Sequence, residues 1–87
     1  MLTKATIVTY QNYGDTHHPE LTVLREEKLD ELHDLGKTDG THVRLDEVTI
    51  KRFWLDQAAA EEWIAFMQSS AVPFNITMSF VIEDIPQ

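Results

Sequence analysis

Eighty-seven residues suffice for one domain, since a second independent core would need roughly 50 more. Fifteen Asp and Glu against seven Lys and Arg give a net charge of −8, which repels phosphate backbones and argues against a nucleic-acid partner. The absence of cysteine excludes a disulfide scaffold, a thiolate zinc site and a cysteine nucleophile, and no apolar run nears the roughly 18 residues of a membrane span.

Glycines 14, 36 and 40 and prolines 19, 73 and 86 fall between periodic segments, where chain breakers belong. The first segment, Thr3 to Gln11, is rich in β-branched and aromatic residues and predicts a strand. A polar loop follows, Asn12 to His18, before Pro19 opens the next element. From Glu20 to Leu35, leucines 21, 24, 29, 32 and 35 fall within an arc of about 140° on a helical wheel. Pro19 suits a first helical turn and Gly36 the residue just past the end, so the spacing predicts a helix. The run Leu21 to Arg25 is also compatible with a short strand.

Thr41 to Trp54 is extended, but its alternation breaks. Val43 and Leu45 share one parity and Val48 and Ile50 the other, so the register must reset at Asp46-Glu47. A tight hairpin turn gives two strands and is the expected solution; a bulge, leaving a three-stranded sheet, is the other. Asp56 sits at a helix N-cap position before an alanine-rich turn with early glutamates. Ala59, Ala60, Trp63, Phe66 and Met67 form one apolar stripe, predicting a helix that ends near Ser69-Ser70. The last strand is expected over Phe74 to Glu83, with Ile76, Met78, Phe80 and Ile82 on one face. Strand, helix, strand pair, helix, strand is the α+β, ferredoxin-like βαββαβ order: a four-stranded antiparallel sheet with two helices on one face, in a single domain over residues 1–87.

The opposite sheet face would carry Thr49, Lys51 and Phe53 from the third strand and Thr77, Ser79 and Val81 from the last. This set is either solvated or closed against a second copy of the chain. A domain this small buries only about 60–65% of its unfolded surface, and self-association is the cheapest route to further burial without disulfides or metal. A homodimer through the helix-free face is therefore expected, with an interior able to hold a small molecule.

Chemical motifs are sparse. His17 and His18 lack the spacing of a metal site, and no metal ligand set is expected. Lys51, Arg52 and Arg44 are candidates to receive an anion or a carboxylate across an interface, against the plainer reading of strand residues reaching water. The acidic run Glu26 to Glu31 reads as a solvated helix face rather than acid–base machinery. Trp63 reads as core, and Trp54, at a strand end, as core or the mouth of a cavity.

The stretch Arg52-Phe53-Trp54-Leu55-Asp56-Gln57-Ala58-Ala59-Ala60-Glu61-Glu62-Trp63 resembles the third-strand-to-second-helix junction of the dimeric α+β barrel proteins, the antibiotic-biosynthesis-monooxygenase-like family and its relatives. Trp54, Asp56 and Ala59 stand at matching places, whereas Arg52 occupies the usual acidic position and Trp63 that of a helix histidine. The resemblance covers about a dozen residues of the chain and implies a ferredoxin-like subunit pairing sheet to sheet. The expected function is that of a small, acidic, cytosolic, dimeric binding or accessory protein without cofactor. Two alternatives stand beside it. One is a cofactor-independent monooxygenase-like enzyme acting on a small apolar or aromatic molecule, with Tyr10, Asn12, His17 and Trp54 around its pocket. The other is a subunit of a larger assembly, a viral one included. Lys51, Phe53 and Ser79 complete the candidate ligand-contacting residues.

Overall fold

The computed structural model describes residues 1–86. The chain forms β1 (Lys4–Tyr10), α1 (Pro19–Asp34), β2 (His42–Asp46), β3 (Thr49–Trp54), α2 (Gln57–Ala71) and β4 (Met78–Asp84), with short 3-10 turns at Tyr13–His17 and Val72–Phe74. The sheet order is β2-β3-β1-β4, and every neighbouring pair is antiparallel. This is the expected ferredoxin-like arrangement. β1, the most β-branched segment, lies between two strands that arrive from much later in the chain.

α1 is a continuous helix, which removes the alternative of a strand at Leu21 to Arg25. Pro19 occupies its first turn, and the Leu21 N–H donates to Nδ1 of His18 at 3.3 Å, so a histidine caps it. Its other end closes on Gly36, whose φ of 74° only glycine adopts freely. There the Gly36 N–H donates to His33 O and the Lys37 N–H to Leu32 O, the paired bonds of a Schellman ending.

The buried stripe of α1 differs from the expected five leucines. Leu21 and Leu32 are fully buried and Leu29 partly so, but Leu24 and Leu35 are 39% and 60% exposed. Arg25 is buried instead. At about 100° per residue it falls between Leu21 and Leu29, so the face that meets the sheet is centred on an arginine.

β2 and β3 form the expected hairpin, with a turn at Glu47-Val48 rather than Asp46-Glu47. The register also slips between Arg44 and Asp46, so a bulge accompanies the turn. Neither turn residue has positive φ, so the turn is not one of the glycine-favouring types. The Asp46 carboxylate accepts the Val48 N–H at 2.9 Å and braces it.

α2 begins as expected, with Asp56 Oδ1 accepting the Ala59 N–H at 2.9 Å. It runs on to Ala71, slightly beyond the expected end. β4 starts at Met78, four residues later than expected. The 3-10 turn and Asn75, at a left-handed φ of 55°, first reverse the chain, while Ile76 still reaches the core.

The core lies between the helices and the sheet face carrying Val8, Tyr10, Ile50, Trp54, Phe80 and Ile82. Trp54 stacks on Trp63 with ring centroids 5.4 Å apart, and Phe66 stacks on the far side of Trp63 at 5.7 Å. The Trp54 indole N–H donates to Thr6 Oγ1 at 2.8 Å, with both residues fully buried. No helix among the described residues is long and apolar enough to cross a membrane.

Candidate functional site

Strict alternation along β3 separates the two residues of the basic pair. Ile50, Arg52 and Trp54 face the helices, while Thr49, Lys51 and Phe53 face away. Two surfaces result.

The helix-free face gathers Ala5, Ile7 and Thr9 of β1 with Thr49, Lys51 and Phe53 of β3 and Ser79, Val81 and Glu83 of β4. Lys51 reaches across β1 to pair with Glu83 at 2.8 Å, and its Nζ lies 5.8 Å from the centre of the Phe53 ring. Thr49 and Thr9 approach through their hydroxyls at 3.4 Å. Ala5 is fully covered by its neighbours, whereas Val81 is 53% exposed and Val43, on the outer strand, 44%. Ser79 is exposed opposite Thr9.

The second surface is a groove of about 450 Å3 between α1 and the β2–β3 hairpin. Arg25 and Glu26 line it from α1, Arg44 and Arg52 from the strands, with Leu29 and Ile50 as apolar wall. The three arginines converge because α1 turns Arg25 toward the sheet, while pairing sets Arg44 opposite Ile50 and His42 opposite Arg52. The buried end of the groove abuts a void of about 10 Å3, room for a single water at most, bounded by Tyr10, Arg25, Arg52 and Trp63 among others.

The electrostatics of this groove differ from those of the remaining surface. All four lysines are ion-paired: Lys4 with Asp84, Lys28 with Glu31 and Glu62, Lys37 with Glu62, and Lys51 with Glu83. Among the described residues, none of the three arginines is in an ion pair. Arg25 donates to Tyr10 Oη at 2.6 Å and to Thr22 Oγ1 at 3.1 Å, both neutral acceptors. Arg44 donates to the carbonyl of Glu47 at 2.8 Å. The Arg52 guanidinium makes no hydrogen bond among the described residues; it lies over Trp63, 5.6 Å from the ring centre. Burial pushes the Arg52 pKa down to about 10, and the charge of Arg25 adds to the push.

The sequence-derived candidates fall in three places. Lys51, Phe53 and Ser79 share the helix-free face. Tyr10 and Trp54 are buried on the helix side, Tyr10 holding Arg25 and Trp54 holding Thr6. Asn12 and His17 sit in the β1–α1 connection, Asn12 donating to Asp15 at 3.4 Å and His17 edge-on to Tyr13 at 5.1 Å. His17 also borders the arginine groove. Arg25 is the residue that sequence reasoning missed; its place four residues after Leu21 and four before Leu29 was the available signal. Comparison with protein-family models, curated proteins and solved structures gives no match.

Proposed function

We propose that the protein is a cytosolic binding or accessory protein that works as a homodimer, two copies meeting through their helix-free sheet faces. The observation that supports this reading is the charge of that face. The chain carries −8 overall, so two copies repel across most orientations. On the helix-free face the charged side chains of β3, β1 and β4 are Lys51 and Glu83, which neutralise one another. Two copies therefore meet there with little electrostatic cost, around Ile7, Phe53, Val81 and the threonine hydroxyls. The sheet-to-sheet pairing implied by the resemblance at Arg52 to Trp63 is the same geometry.

Light scattering on a sizing column tests the assembly. The expected mass is about 20 kDa, twice the 10.0 kDa of one chain. Phe53→Glu removes an apolar contact and adds a carboxylate to each of two apposed faces, across β1 from Glu83, and should halve that mass. A wild-type mass near 10 kDa, or a dimer indifferent to Phe53→Glu, refutes the interface. Oxygen-dependent turnover of a small aromatic molecule without added flavin or metal would replace the accessory role with the enzymatic one.

A further inference from the structure

We infer that the groove between α1 and the β2–β3 hairpin is a binding site for a small organic monocarboxylate, its carboxylate held by Arg52 and its apolar portion lying along Leu29 and Ile50. The inference rests on the reading of the chain as a binding protein, but not on its dimerisation, because the groove opens on the helix side of the sheet.

The distribution of charge carries the argument. In a chain with 15 carboxylates and seven Lys and Arg, cations are outnumbered and find partners easily, as every lysine does. All three arginines nevertheless collect in one groove without an ion pair among the described residues. Placing Arg25 and Arg52 in mutual repulsion, partly out of water, costs folding free energy that a solvated arrangement would avoid. An anion seated between them offsets both the repulsion and the lost solvation.

The chemistry of the groove selects among anions. Arg25 is already engaged with Tyr10 and Thr22, and Arg44 with the hairpin backbone, which leaves Arg52 as the guanidinium with its full fork of donors available. A planar carboxylate matches one such fork in a bidentate fashion. A phosphate dianion needs more donors than the one uncommitted fork supplies, since Arg25 and Arg44 already donate to protein acceptors. The groove of about 450 Å3 lies within the size range of small-ligand sites, and Leu29 and Ile50 give it an apolar wall. Trp63 backs the Arg52 guanidinium by a cation–π contact, fixing its plane from behind.

The test uses the full chain titrated with phenylacetate, with phenylacetamide as the neutral isostere and inorganic phosphate as the competing anion. Binding is followed by calorimetry and by the arginine side-chain Nε–Hε signals in a 15N-labelled sample. The expected result is saturable binding of phenylacetate with one site per chain and at least tenfold weaker binding of the amide and of phosphate. The Arg52 signal should shift most. Arg52→Gln should weaken phenylacetate binding at least tenfold; if this variant does not fold, Arg44→Gln at the exposed rim should weaken it about two- to fivefold. The site is overturned by absence of saturation at 50 mM phenylacetate, by equal binding of acid and amide, by phosphate binding more tightly, or by an unmoved Arg52 signal. Molar mass measured on the same samples separates the two proposals. A monomer that binds phenylacetate refutes the dimer alone, and a dimer that does not bind refutes the site alone.

Discussion

Thr6→Val is the sharpest probe of how the core is specified. Valine keeps the shape of threonine but removes the hydroxyl that accepts the Trp54 indole N–H at 2.8 Å. Both residues are 0% exposed, so no solvent can replace the lost acceptor, and the indole N–H is left buried and unpaired. Such an orphaned donor costs about 1–3 kcal/mol. The buried Trp63 indole N–H already has no partner among the described residues, so Thr6→Val places a second such donor in the same aromatic stack. For a domain of this size each 1 kcal/mol lowers the melting temperature by about 4–8 °C, so the expected drop is at least about 4 °C. The measurements are thermal unfolding for the melting temperature and urea unfolding for the free energy, both followed by far-ultraviolet circular dichroism of the backbone. Trp54→Phe supplies the control, because it removes the donor. In that background Thr6→Val should cost much less, giving a coupling of about 1 kcal/mol or more. Equal costs in the two backgrounds would show that the hydroxyl contributes nothing through the indole, and would refute the reasoning.

Asp56→Ala should destabilise the fold by about 1 kcal/mol, since it deletes the side-chain acceptor for the Ala59 N–H at the start of α2; urea unfolding reads this, and a loss indistinguishable from zero would mean the cap is dispensable. Hydrogen bonds from Lys37 and then Lys28 hold the Glu62 carboxyl below its ordinary range, so its contribution is present above that range and lost as pH falls through the lowered pKa. Glu62→Gln should therefore shallow the loss of stability below pH 4.5 relative to wild type, while Asp39 and Asp46, also lowered by backbone hydrogen bonds, preserve part of the slope. Parallel acid limbs in the two proteins would exclude Glu62 as a contributor.

Much of the fold was legible in local pattern because local physics controls it. The β-branched run of β1, the Asp56 cap with its alanine turn, and the alternation of Met78, Phe80 and Ile82 each act within a few residues. Where the reading slipped, the deciding contact was distant or the local signal ambiguous. Leu24 fits the helical arc as well as Leu21, but only the sheet beneath α1 determines how wide a stripe is covered. Phe74 to Ile76 looked like strand by composition, and the left-handed turn at Asn75 postponed β4.

The candidate site was less legible, for a related reason. Lys51 and Arg52 form one basic pair in the sequence, yet alternation puts them on opposite faces, one neutralised by Glu83 and the other without a counter-ion among the described residues. The sequence determined the order of elements, their caps and the parity of each strand, all set by the backbone preferences and side-chain period of neighbouring residues. Packing of distant elements brings Arg25 on a helix, Arg44 on an outer strand and Arg52 on an inner one into a single groove that holds none of the lysines. That grouping depends on how α1 lies across the sheet, and the orientation is fixed by burying Leu21 and Leu32 rather than by anything local to the arginines.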